Sequence, residues 1–137
     1  MKKHLSALLG LSLLLATASA FAQTISLKAN IPFNFVVNGK TLPAGEYTVK
    51  TMGSERTLSI RDSSQTATSL VLANACESMQ PADRTKLVFH RYGDSYFLTK
   101  VWISGNTSGH EIPASKQEAE LAARYSGPEV VAVAALR

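Results

Sequence analysis

The stretch KLVFHRYGDSYFLTKVWIS at positions 86–104 decides the fold. Apolar or aromatic residues alternate with other side chains in both halves, 86–92 and 96–104, and this period of two predicts two β-strands. Gly93-Asp94 lies between the halves, where a two-residue loop would place Arg91 opposite Tyr96 and Phe89 opposite Leu98. The stretch therefore predicts a β-hairpin.

Both faces of this hairpin are rich in apolar side chains. The predicted register gives one face Leu87, Phe89, Tyr96, Leu98 and Trp102, and it gives the other face Val88, His90, Tyr92, Phe97, Val101 and Ile103. A strand pair that is apolar on both sides is covered on both sides. We therefore expect the hairpin at the centre of the fold.

Shorter alternating segments precede this hairpin, and turn residues separate them. Pro32 marks a break between the first two, and Asn38-Gly39 is typical of a type I′ hairpin turn. Residues 74–84 have no clear period and predict a loop. The pattern predicts a mainly β domain, an antiparallel meander of about seven to nine strands that forms either a small barrel or a two-sheet sandwich.

One short helix is predicted near the C-terminus, over residues 115–125. Ser115-Lys116-Gln117-Glu118 has the spacing of a capping box, and Gly127-Pro128 ends the helical pattern. Residues 129–136 are β-branched and alanine-rich, which fits either a strand that closes the sheet or a frayed tail. We favour the strand, because an exposed Val130–Val133 run would promote aggregation.

The N-terminus has the order of a secretory signal peptide, residues 1–22. A basic start, MKKH, is followed by an apolar run over residues 5–16 and then by small residues. The run is shorter than the ~18 apolar residues that a spanning helix needs, so we expect it to be cleaved and to leave no membrane span. Two cleavage sites fit, Ala18-Ser19-Ala20 and Ala20-Phe21-Ala22, and we favour the second, between Ala22 and Gln23, which leaves a single β-domain over 23–137. The protein is thus predicted to be exported, to the periplasm or the extracellular space.

Removing this segment changes the charge of the chain. It contains two of the 14 lysine and arginine residues and none of the 10 acidic residues, so the formal charge falls from +4 to +2. The basic composition then no longer argues for a nucleic-acid partner. The lone Cys76 is interpreted either as a small core residue or as an intermolecular disulfide that links a homodimer.

Two strings resemble a family of small exported bacterial β-proteins that has no assigned activity. They are Leu42-Pro43-Ala44-Gly45-Glu46-Tyr47-Thr48-Val49 and Phe89-His90-Arg91-Tyr92-Gly93-Asp94-Ser95-Tyr96-Phe97-Leu98. The resemblance spans roughly residues 25–125. It implies export and a β fold, and it carries no catalytic residue.

The residues that could support catalysis or metal binding are dispersed. His90 and His110 have no neighbouring nucleophile motif, and together with Cys76 they lack the spacing of a zinc site. Glu118 and Glu120 are interpreted as solvated charges on the helix, and three aspartates occur at turns: Asp62, Asp83 and Asp94. The sequence therefore predicts no catalytic residue, no metal and no cofactor.

A binding surface around the central hairpin is the remaining candidate site. It would consist of Arg91, Tyr92, Tyr96 and Trp102, because aromatic rings stack on ligands and accept cations, although the same residues also suit a core. The leading hypothesis is an exported non-enzymatic domain, an envelope or extracellular binding or structural module. The alternative is a carrier of small apolar ligands, with a barrel cavity lined by Phe35, Leu58, Leu98 and Trp102.

Overall fold

The structure is a computed structural model that describes residues 25–136. The predicted signal peptide and its cleavage site at Ala22 and Gln23 lie outside the described residues. Eleven strands and one helix occur in the described part, in the order β1 (Ser26–Ile31), β2 (Phe35–Val37), β3 (Lys40–Leu42), β4 (Gly45–Met52), β5 (Ser54–Asp62), β6 (Thr68–Leu72), β7 (Asn74–Glu77), β8 (Lys86–Tyr92), β9 (Ser95–Trp102), β10 (Ser108–Glu111), α1 (Lys116–Tyr125) and β11 (Glu129–Ala134).

The strands form two sheets that face each other. The four-stranded sheet has the order β1-β4-β5-β6, and the seven-stranded sheet has the order β11-β8-β9-β10-β7, with β2 and β3 attached to it. β2 joins β9 through one parallel pair, Val36 with Phe97, whereas the other pairings are antiparallel. Of the two architectures that the sequence left open, the structure is thus the sandwich, and the described strands form no closed barrel.

The strand count exceeds the predicted seven to nine because short strands carry little periodicity. The prediction of a loop over residues 74–84 was wrong at its start, where β7 pairs with β10 at the edge of the seven-stranded sheet. β7 has no alternating pattern of burial, so its sequence lacks the signal of a half-buried strand. The chain passes from β6 to β7, and thus from one sheet to the other, at the buried Ala73.

Two predicted turns are confirmed. Asn38 and Gly39 have φ values of 52° and 71°, as a type I′ turn requires, and they join β2 to β3. Gly93-Asp94 forms the loop of the central hairpin, with Arg91 opposite Tyr96 and Phe89 opposite Leu98.

The predicted faces of the central hairpin are wrong beyond Leu98, because β9 contains a β-bulge. Phe89 pairs with Leu98 but Val88 pairs with Lys100, so Thr99 is an extra residue. One extra residue exchanges the faces of all residues that follow it. Val101 therefore lies in the core between the sheets, and Trp102 lies on the outer face.

The main core fills the space between the two sheets. Phe89 is fully buried at its centre, and its ring has edge-to-face contacts with Phe33 and Phe35 at centroid distances of 5.0 and 5.6 Å. At the open side of the sandwich, β11 places Val131 and Val133 against this core. Just beyond β11, the Leu136 amide donates to the Lys28 carbonyl at 2.7 Å, which draws the two sheets together at this edge.

Helix α1 forms a third layer on the outer face of the seven-stranded sheet. Its Leu121 and Ala122 pack against a small second cluster of buried residues, Val36, Tyr92 and Phe97. The helix begins after Ser115, and Ser126 ends it in the left-handed conformation, with φ 57°. The helix thus covers the part of the second face of the central hairpin that contains Tyr92 and Phe97.

Candidate functional site

A buried carboxylate lies beneath helix α1. Glu118 is 5% exposed, and its Oε2 accepts a hydrogen bond from the Tyr92 hydroxyl at 2.9 Å. His90 Nδ1 lies 3.0 Å from the same oxygen. An ionised carboxylate can only accept hydrogen bonds, so Nδ1 is the donor whenever Glu118 is ionised. We call these three residues the helix anchor.

The interpretation of Glu118 as a solvated charge was wrong. The capping box is formed in one half only, since the Ser115 Oγ accepts from the Glu118 amide at 3.1 Å. The Glu118 carboxylate is directed at β8, where the pair of donors offsets the cost of removing its charge from water. Glu118 thus fastens the helix to the sheet.

The helix anchor joins α1 to β8, and its surroundings shift the pKa of Tyr92. Burial, together with the hydrogen bond to Glu118 and the negative charge of that residue, raises the pKa of Tyr92 to about 12. Four cavities described on residues 25–136 are lined by residues other than Glu118, His90 and Tyr92.

The raised pKa of Tyr92 predicts a loss of stability in alkali. The unfolded chain releases this proton near pH 10 and the folded chain near pH 12, so the free energy of unfolding should fall by about 2–3 kcal/mol as the pH rises between these values. Urea unfolding of the wild type and of Tyr92→Phe from pH 8 to 12 measures this, since the phenylalanine variant should lack that part of the decline. Burial raises the pKa of Tyr47 as well, and Tyr47 titrates equally in both proteins. Parallel profiles for the two proteins would contradict the assignment.

The structure brings together only two of the four residues proposed as a binding surface. The Arg91 guanidinium carbon lies 5.5 Å from the centre of the Tyr96 ring, and Tyr96 stacks on Phe33 at 3.8 Å. Tyr92 is on the opposite face, beneath α1. Trp102 is near the other end of β9, where its ring covers Gly109 so closely that a Cβ there would lie 2.6 Å from a ring carbon.

The predicted lining of a carrier cavity is also divided. Phe35, Leu58 and Leu98 are packed in the main core with at most 3% exposure, and Trp102 lies outside it. The cavities described for this part of the chain are lined by surface residues instead. The carrier hypothesis depended on a barrel, and the fold is an open sandwich.

Cys76 is half-buried on the outer face of the seven-stranded sheet. It pairs with Gly109, which in turn pairs with Trp102. Burial and the nearby Glu111 carboxylate raise the pKa of the Cys76 thiol, which disfavours the reactive thiolate.

We predict that Cys76 reacts slowly with disulfide reagents. At neutral pH the folded protein should react with Ellman's reagent severalfold more slowly than the protein unfolded in urea, and the rate should rise with pH as the thiolate forms. Absorbance at the thionitrobenzoate band follows the reaction. Equal rates in the folded and unfolded protein would contradict this prediction and would favour the intermolecular disulfide.

His110 and Cys76 lie on opposite faces of the seven-stranded sheet. His110 pairs with Ala75 and Val101 on the inner face, whereas Cys76 lies on the outer face. The His110 Nδ1 is buried without a hydrogen-bond partner in the described region. Within residues 25–136, no group of three or more His, Cys, Asp or Glu side chains has the geometry to hold a metal ion.

The outer face of the four-stranded sheet contains a cavity of about 420 Å³. Thr48 lies at its centre, paired with Lys28 on one side and with Arg61 on the other. In the adjacent row Lys50 pairs with Ser59, which is only 3% exposed and forms part of the cavity floor. We call these five residues the polar face.

The three cations of the polar face are exposed. Neither an ion pair nor a hydrogen bond joins Lys28, Lys50 or Arg61 to another described side chain. Successive strands are about 4.8 Å apart and alternate residues about 7 Å apart, so the long side chains can meet above Thr48. The sequence contained this signal in the alternation of polar residues along three strands, but their side-by-side placement requires the register.

Two acidic residues also line this cavity, Glu46 and Asp62. The Asp62 carboxylate is engaged by its own turn, where it accepts from the Ser64 and Thr66 hydroxyls and from the Ala67 amide. Desolvation opposes ionisation, but these hydrogen bonds outweigh it and lower the pKa of Asp62. Glu46 is exposed and has no ion-pair partner among the described side chains.

Fold and site together define a two-sheet β-sandwich with one helix over the larger sheet and, on the smaller sheet, an open cavity over the polar face. No protein-family model, curated protein or solved structure matches this chain. In the described part of the chain, no helix is both long and apolar enough to cross a membrane.

Proposed function

We propose that the chain is an exported, non-enzymatic binding domain that takes a small ligand on its polar face. The observation that carries this proposal is the open cavity of about 420 Å³ over Thr48, which lies within the range of small-molecule sites. Its lining offers hydroxyl groups and exposed charges, which are the groups that orient a polar ligand.

In this proposal the two sheets have different roles. The seven-stranded sheet uses part of its outer face to hold α1 through Glu118 and the cluster around Phe97. On the outer face of the four-stranded sheet, Met52, Leu70 and Leu72 are 41%, 57% and 69% exposed beside the polar residues. The β2–β3 hairpin reaches the β6 edge of this sheet, where Asn38 Nδ2 donates to the Leu70 carbonyl at 2.9 Å. A rigid sheet with an exposed face is a suitable platform for binding.

Export is the second part of the proposal and rests on residues 1–22. Their basic start, apolar run and small residues before Gln23 are typical of a cleaved signal peptide. Mass spectrometry of the protein recovered after export tests this directly. A mature chain that starts at Gln23 is expected, and a chain that retains residues 1–22 would contradict the proposal.

The binding proposal is tested by amide chemical-shift mapping of the purified exported protein. The probes are neutral oligosaccharides, sugar acids, sugar phosphates and free amino acids, added one at a time. At least one probe class should shift the amides of the polar face. Thr48→Trp, which fills the cavity, should abolish these shifts, while Thr107→Trp in an exposed loop should leave them unchanged. Shifts confined to other surfaces, or shifts that survive Thr48→Trp, would refute it.

A further inference from the structure

We propose that the ligand of the polar face is an anionic sugar, meaning a hydroxylated ring that carries a phosphate or carboxylate group. This inference rests on the proposed function and names the chemistry of its ligand. It follows from the charges that line one cavity and from the absence, among described residues, of partners for them.

The cations around the cavity indicate that the ligand carries an anionic group. Lys28, Lys50 and Arg61 approach the cavity from β1, β4 and β5, so an oxyanion above Thr48 is within reach of all three. Guanidinium and ammonium groups bind phosphate and carboxylate oxygens with charge-assisted hydrogen bonds, about twice as strong as neutral ones. The acid that would compete with such a ligand, Asp62, already accepts three hydrogen bonds within its turn.

The other residues that line the cavity indicate that the ligand also carries hydroxyl groups. Glu46 is a free acceptor, and the hydroxyls of Thr48 and Ser59 both donate and accept. A simple anion would be repelled by the Glu46 carboxylate, whereas a ligand with hydroxyl groups can donate to it. Met52, which is 41% exposed at the cavity edge, offers an apolar wall for the C–H face of a ring. An oxyanion together with several hydroxyls on one compact ring matches this set.

Calorimetric titration of the purified exported protein tests the inference with four probes. Glucose 6-phosphate and glucuronate carry the required chemistry with different anions, and glucose and inorganic phosphate each lack one half of it. We expect at least one charged sugar to bind about tenfold or more tightly than either incomplete probe, since each lost charge-assisted contact costs about that factor. Comparison of the two charged sugars then identifies the anion as phosphate or carboxylate.

Matched variants locate the binding. Lys50→Gln and Arg61→Gln should each weaken the charged sugar about tenfold. Lys116→Gln removes the same charge from an exposed position on α1 and should change the affinity less than about twofold, which controls for net charge.

Three results would overturn the inference. The first is no measurable binding of either charged sugar, and the second is an affinity for inorganic phosphate equal to that for the charged sugars. The third is an unchanged affinity for the charged sugar in both Lys50→Gln and Arg61→Gln. A neutral oligosaccharide that shifts the amides of the polar face in the wild type and in the charge variants, but not in Thr48→Trp, would refute the anionic ligand alone. If every probe that binds the wild type binds Thr48→Trp equally well, the proposed function is refuted as well.

Discussion

Glu118→Ala is expected to lower the free energy of unfolding by about 3 kcal/mol. The substitution removes the acceptor of the Tyr92 hydroxyl and the partner of His90, both beneath α1. Hydrogen bonds to a charged group contribute about 1.5–3 kcal/mol, and a buried hydroxyl left without a partner adds a desolvation cost. Urea unfolding followed by circular dichroism measures the change.

Glu120→Ala is the matched control for this experiment. Glu120 belongs to the same helix but is exposed, and alanine favours the helix equally at both positions. We expect a change within about 0.5 kcal/mol for Glu120→Ala. Similar effects of the two substitutions would show that Glu118 does not hold the helix. Glu118→Gln, which keeps an acceptor for Tyr92, should recover part of the loss.

Phe89→Ala should cost about 3–5 kcal/mol, the range for truncating a buried aromatic residue. Phe89 has no exposed surface and lies between the sheets, where its ring contacts those of Phe33 and Phe35. Because Phe89 belongs to the central hairpin and packs between the two sheets, the cavity left by its truncation cannot close without moving a strand. Thermal or urea unfolding measures the loss.

Val130→Ala on β11 provides the surface comparison. Val130 is 65% exposed, although it belongs to a strand that packs against the same core with its alternate residues. Its truncation should change the free energy of unfolding by less than about 0.5 kcal/mol. A loss below about 1 kcal/mol for Phe89→Ala would contradict its central place in the core.

Local turn chemistry made much of the fold predictable. Asn38-Gly39 requires positive φ angles that few other pairs tolerate, and Gly93-Asp94 fixes the register of the hairpin by loop length. Alternation then placed Phe89 and Leu98 on the same face of the hairpin, as the structure has them. The capping residue Ser115 likewise indicated where α1 begins.

The sequence-based predictions that were wrong concern features that depend on long-range contacts. The bulge at Thr99 follows from packing between strands, so alternation alone placed Val101 and Trp102 on the wrong faces. Glu118 was assigned to solvent because its partners are 26 and 28 residues away on β8. The polar face was missed for the same reason, since Lys28 and Arg61 become neighbours of Thr48 only in the assembled sheet.

The central claim is that the polar face binds an anionic sugar while the helix-covered face is structural. A crystal structure of the purified protein with saturating glucose 6-phosphate or glucuronate tests it most directly. We expect a sugar over Thr48, with its anionic group between Lys28, Lys50 and Arg61. An empty polar face, or a sugar bound only elsewhere on the molecule, would contradict it.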